Sequence, residues 1–148
     1  MRSLAVLVAC IAIGSPATAG ASLLSAKGQV FAIVAGELFV GEAEGHLDGA
    51  GTLAIHSQKT PTLTCTGKFT SSAKAGGKGQ LSCSNGNSAT FQFKRLTIRS
   101  GYGTGTLSRG TMSFTYGLSA EEAQPHLKPP KGKQLRRDGT TLELFPSA

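Results

Sequence analysis

Three segments of the chain share the form G-x-G-x-L: Gly49-Ala50-Gly51-Thr52-Leu53, Gly77-Lys78-Gly79-Gln80-Leu81 and Gly103-Thr104-Gly105-Thr106-Leu107. They begin at residues 49, 77 and 103, so the spacings are 28 and 26 residues. Self-similarity at such a period marks one supersecondary unit used several times. Period-two alternation in the flanks makes that unit a β-hairpin. Leu63, Cys65, Gly67 and Phe69 share one face, and Gly79, Leu81 and Cys83 share a face on the next strand.

Setting Cys65 across from Cys83 puts Gly67 opposite Leu81 and Phe69 opposite Gly79, with Ser72 to Gly76 as the loop. Directly opposed cysteines can be bridged in a non-hydrogen-bonded pair. An aromatic ring laid over a cross-strand glycine offsets that glycine's weakness. The same device is expected later. With Arg109-Gly110 as a two-residue turn, Leu107 faces Met112, Gly105 faces Phe114 and Gly103 faces Tyr116. Asn85-Gly86 is a strong hairpin turn. Phe91 and Phe93 share a face, whereas Leu96 and Ile98 have opposite parity, so a bulge or corner is expected near Lys94-Arg95. Upstream, Phe39, Gly41, Ala43, Gly45 and Leu47 form one face that Leu53 and Ile55 continue, and a first strand is expected from Gln29 to Val34.

The fold class is therefore all-β: an antiparallel meander of about eight to ten strands with little helix and one cross-strand disulfide. A curved open sheet and a small closed barrel both satisfy the pattern, and closure would remove exposed edges. Residues 20–117 form the hairpin-repeat domain. Residues 118–148 form a basic C-terminal extension. There, Ser119-Ala120-Glu121-Glu122 has the form of a capping box, and Pro125 limits the helix to about one turn. Arg137-Asp138-Gly139-Thr140 reads as a turn into Thr141-Leu142-Glu143-Leu144, a candidate closing strand.

Residues 1–19 read as an export signal: Arg2, an apolar run from Leu4 to Ile13, a Gly14-Ser15-Pro16 break and an Ala17-Thr18-Ala19 cleavage site. The apolar run is too short to span a bilayer, and no transmembrane segment is expected after it. A lipoprotein reading ending in Cys10 is disfavoured because it would cut the apolar run in half. The expected location is the periplasm or the extracellular space. Of the three cysteines, Cys65 and Cys83 survive cleavage, and two cysteines in an oxidising compartment are most simply one disulfide.

The stretch Cys65-Thr66-Gly67-Lys68-Phe69, Gly77-Lys78-Gly79-Gln80-Leu81 and Asn85-Gly86 resembles a MORN repeat, a hairpin with Y-x-G-x-W/F and G-x-G-x-aromatic strands and a D/N-G turn. The likeness covers residues 37–93 best and 101–116 in part. Cys65 stands where the leading aromatic belongs, Leu81 replaces the usual Tyr, and there is no Trp. The region is also similar to small secreted bacterial proteins of unknown function. The MORN resemblance implies a scaffold or membrane-associating module in place of a catalyst.

Catalytic motifs are absent: no G-x-S-x-G, no P-loop and no H-E-x-x-H, so the chain is read as a non-enzyme. No cofactor is called for. One metal hypothesis stands. Glu42, Glu44, His46 and Asp48 alternate on one strand face, and pairing Leu47 with Leu53 sets Glu44 opposite His56. Glu44, His46 and His56 could then hold Zn²⁺. The competing reading is an ordinary solvated strand face.

Charge suggests a second site. Residues 51–117 carry eight bases and no acid, within a formal net charge of +7 for the chain. Lys68, Lys78 and Lys94 have outward parity on neighbouring strands and Lys74 sits in a loop, a patch suited to an anionic surface. The phenylalanines point the other way, so stacking for single-stranded nucleic acid is not expected. The competing reading is a charged face that keeps a glycine-rich sheet soluble. The functional expectation is an exported, non-enzymatic binding or structural module of the cell envelope. The alternative is an inhibitor of a secreted or periplasmic hydrolase that uses a loop at Ser71–Gly76 or Ser57–Thr62.

Overall fold

The computed structural model describes residues 25–72 and 74–148, so the export-signal reading falls on residues outside those described. Eight antiparallel strands run in sequence order and close into a barrel. They are β1 (Ser25–Val34), β2 (Glu37–His46), β3 (Ala50–Ser57), β4 (Thr64–Ser72), β5 (Gly76–Cys83), β6 (Ser88–Thr97), β7 (Ser100–Leu107) and β8 (Thr111–Tyr116). The seam is a β1–β8 ladder from Val30–Tyr116 to Val34–Met112. Of the two architectures the pattern allowed, the closed one is adopted.

The three G-x-G-x-L segments fall on β3, β5 and β7. Their inward glycines face inward aromatic residues of β4, β6 and β8. Phe69 covers Gly51, Phe93 covers Gly77, Phe91 covers Gly79 and Phe114 covers Gly103. Odd strands contribute space and even strands contribute rings. The rings meet edge to face, with centroids 5.6 Å apart for Phe69–Phe93 and 5.2 Å for Phe91–Phe114. Such aromatic pairs add stability beyond the area they bury.

The β4–β5 register is the expected one: Cys65 opposite Cys83, Gly67 opposite Leu81 and Phe69 opposite Gly79. Ser84 donates its N–H to the Thr64 carbonyl at 2.8 Å, so the neighbouring cysteines form a non-hydrogen-bonded pair. Their Cα atoms are 3.9 Å apart and their sulfurs are bonded. The bulge expected near Lys94-Arg95 lies between Arg95 and Thr97.

Two registers differ from expectation. On β7–β8, Gly105 faces Met112, Gly103 faces Phe114 and Gly101 faces Tyr116, a slide of two residues. Leu107 donates its N–H to the Gly110 carbonyl, and Gly110 has φ of 101°, so this glycine follows the turn instead of forming its centre. Asn87 fixes that turn. Its buried side chain donates to the Arg109 carbonyl at 3.0 Å and accepts from the Arg109 N–H at 3.1 Å and the Ser108 hydroxyl at 2.7 Å. On β2–β3, Leu53 faces Ala43 and not Leu47. The Asp48 carboxylate accepts from the Ala50 N–H and Gly49 has φ of 88°, which makes a tight turn with Leu47 at its exposed tip.

The C-terminal segment does not close the barrel. After Tyr116 comes α1 (Ala120–Ala123), whose Ser119–Glu122 capping box forms as expected, then a 3₁₀ turn (Gln124–His126). Strands β9 (Lys133–Asp138) and β10 (Thr141–Pro146) make a separate hairpin, turned by Gly139 as expected. This strap buries Leu118, Ala123, Leu127 and Leu142 against Phe31, Ile33 and Leu38 on the outer face of β1 and β2. Strand β1 is therefore covered on both faces, which is why Val30 to Val34 is an unbroken apolar run with every residue buried.

Candidate ligand cavity at the barrel mouth

The two ends of the barrel differ. One end holds the turns at 35–36, 58–63, 84–87 and 108–110, and it is plugged by Val34, Phe39, Cys65, Leu81, Ala89 and Leu107, all buried. The disulfide and the Asn87 stitch lie here. The other end carries the turns at 47–49 and 98–99, and it opens into a cavity of about 440 Å³. The stacked rings line part of the cavity. Val30 and Ala32 of β1, Ala43 of β2, and Leu53 and Ile55 of β3 wall it on one side, with Phe93 and Phe114 on the other. Small residues at 32 and 43 leave the space that larger ones would fill.

The mouth is polar and mostly basic. Lys27, His46, Asp48, Arg95, Arg99 and Tyr116 surround it, and Leu47 and Ile98 stand on its lip, 82% and 84% exposed. Lys27 pairs with Glu42 at 3.3 Å, both on the outside. Asp48 is engaged by the Ala50 N–H. Arg95 is different in kind. It continues the inward parity of Phe91 and Phe93. Its Nη2 donates to the Ser71 hydroxyl at 2.7 Å and its Nη1 to the Ile98 carbonyl at 3.1 Å. Its Nε is buried with no hydrogen-bond partner among the described residues. Tyr116 reaches the same mouth. Burial pushes its hydroxyl above the ordinary tyrosine value, against the opposing pull of the Arg95 charge, so it stays protonated at neutral pH.

The sites expected from sequence fare differently. Glu44 pairs with Thr52 and His56 with Val40, so Glu44 and His56 are four residues apart along neighbouring strands, about 13 Å. His46 lies at the mouth, beyond the last β2–β3 pair. The three zinc candidates are not brought together, and no group of three metal-ligating side chains occurs among the described residues. The physical reason is the early turn at Asp48-Gly49, which shifts β3 along β2. The lysines do assemble. Lys68 is diagonal to Lys78 across β4–β5, and Lys78 is diagonal to Lys94 across β5–β6. All three are exposed, and Lys74 is exposed in the loop after β4. Lys68 and Lys78 flank a shallow outer groove floored by Gln80, Thr90 and Gln92. The Ser57–Thr62 and Ser71–Gly76 loops lie at opposite ends of the barrel.

Sequence reasoning passed over Arg95, Ser71 and Tyr116 as a group. A signal was present: a basic residue on the inward parity of an otherwise apolar strand. No helix among the described residues is long and apolar enough to cross a membrane. No protein-family model, curated protein or solved structure matches the chain.

Proposed function

We propose that the protein is an exported, non-catalytic binding module that holds one small, largely apolar molecule inside its barrel. The observation that carries this reading is the cavity of about 440 Å³, open at one end only and walled by apolar side chains. Eight strands enclose an interior that either fills with side chains or holds one small ligand. Here rings packed over glycines fill part of the interior, and the cavity they line is left open. The volume falls within the range of small-molecule sites. A disulfide on the core side suits an oxidising compartment.

N-phenyl-1-naphthylamine, neutral and fluorescent only in apolar surroundings, is the test probe. Titration should give a saturable rise in emission. Ala43→Trp, which fills the cavity from β2, should weaken binding by about tenfold or more through steric exclusion, with an unchanged far-UV spectrum. The absence of any saturable rise with the wild-type protein would overturn the reading.

A second reading rests on the diagonal Lys68, Lys78 and Lys94 row beside its polar groove. It supports contact between the outer wall and an anionic envelope surface. Retention on anionic vesicles at low salt is expected, with loss on reversing the three charges to Glu. Failure of the wild-type protein to be retained would remove it.

A further inference from the structure

We infer that the molecule held in the barrel is amphipathic, with an anionic head group that Arg95 receives at the mouth while the apolar part fills the cavity. This deepens the proposal of a ligand-holding barrel and depends on it.

Arginine on the inner face of an apolar barrel is the exception, because a half-buried cation is costly unless it is paired. Arg95 is held by two neutral oxygens, Ser71 Oγ and the Ile98 carbonyl. No carboxylate lies within ion-pair distance of it, since the ion pairs among the described residues are Lys27–Glu42 and Arg137–Glu121. Its Nε is buried with no partner among the described residues. The two neutral contacts fix the side chain without neutralising it. Nη1 and Nη2 each carry a second N–H beyond these two contacts, and a guanidinium positioned in this way matches a carboxylate or phosphate.

The surroundings agree. Tyr116, protonated, supplies a hydroxyl at the same mouth, and Arg99 adds a second positive charge at the rim. The one acid there, Asp48, already accepts from the Ala50 N–H. Immediately below lie Phe93 and Phe114 on one side and Val30 and Leu53 on the other, so a head at Arg95 carries its tail into apolar space. Leucine and isoleucine tips on the lip extend the apolar path outwards.

The experiment is displacement of N-phenyl-1-naphthylamine from the full chain at low salt by decanoate, decyl phosphate and decanol. The anions should displace the probe at about tenfold lower concentration than decanol or less, the worth of a charge-assisted hydrogen bond. Arg95→Gln should erase that gap by weakening the anions while leaving decanol unchanged. Lys59→Gln, exposed on the loop at the plugged end of the barrel, should keep the gap. Whichever of the two anions binds more tightly identifies the head group.

If decanol displaces as well as the anions, the head-group inference falls and the ligand-holding reading stands. A gap kept by Arg95→Gln also overturns the assignment to Arg95. If the probe itself does not bind, the ligand-holding reading fails and this inference goes with it. Should Arg95→Gln fail to fold by circular dichroism, the wild-type gap between anion and alcohol decides alone.

Discussion

Alanine in place of Gly103 is expected to destabilise the barrel by about 3 kcal/mol, the upper part of the range for overpacking a filled interior. A methyl group there would run into the Gln92 carbonyl oxygen, and it would lie 2.7 Å from the Phe114 ring and 2.8 Å from the Phe93 Cα. The first and last of these are backbone atoms of β6, which cannot move without opening the β6–β7 ladder. Gly41→Ala should behave alike, since its methyl meets the Ala54 carbonyl and lies 2.7 Å from the Ile55 Cα. Gly45→Ala is the control. It shares the inward parity but has nothing within 4 Å among the described residues, so its stability should stay within about 0.5 kcal/mol of the parent. Urea unfolding of the three variants provides the measurement. Equal losses at all three positions would show that the close approach of strands and rings does not explain the glycines.

Replacing Cys65 and Cys83 together by serine is expected to remove roughly 3 kcal/mol, as for a bridge closing a loop of this length. The bridge spans 18 residues, and Cys65 is 1% exposed. Serine at 65 adds a further penalty, because its hydroxyl would be buried among Leu81, Ile55 and Leu107. Cys65→Ala with Cys83→Ala isolates the bridge from the buried polar group. Chemical denaturation of both pairs should give the larger loss for serine. A midpoint that does not change on removing the bridge would show that it contributes nothing to equilibrium stability.

The sequence spoke most clearly where one residue pattern had one structural solution. The β4–β5 hairpin was legible to the register, because Cys65, Gly67 and Phe69 each demand a specific partner. The bulge beside Arg95 was legible as a break in parity between Phe93 and Leu96. Registers set by turn chemistry were harder. Asp48-Gly49 and Arg109-Gly110 each permit several closures, and the choice at Arg109 is made by Asn87, 22 residues away. The strap over β1 and β2 was missed because Thr141 to Leu144 alternates as a barrel strand would. The doubly apolar run from Val30 to Val34 was the available sign that β1 needs a cover on each side. The cavity was not legible, because empty volume follows from closure and from how the inward side chains pack once the barrel is closed. Its arginine was visible only as one charge among eight.

The seam between β1 and β8 sets the order of assembly. Every other ladder joins strands adjacent in the chain, so each can form while the sequence between its partners is short. The seam joins Val34 to Met112 and must wait for all seven hairpin connections. Until then β1 and β8 are bare edges carrying unpaired backbone groups, the surface on which unfinished β-proteins associate. The bridge from Cys65 to Cys83 lies inside the loop that the seam closes, so once formed it takes 18 residues out of that loop's effective length. The strap comes after the seam in the chain and packs on β1 from outside. It therefore acts as a latch on the strand that closes last.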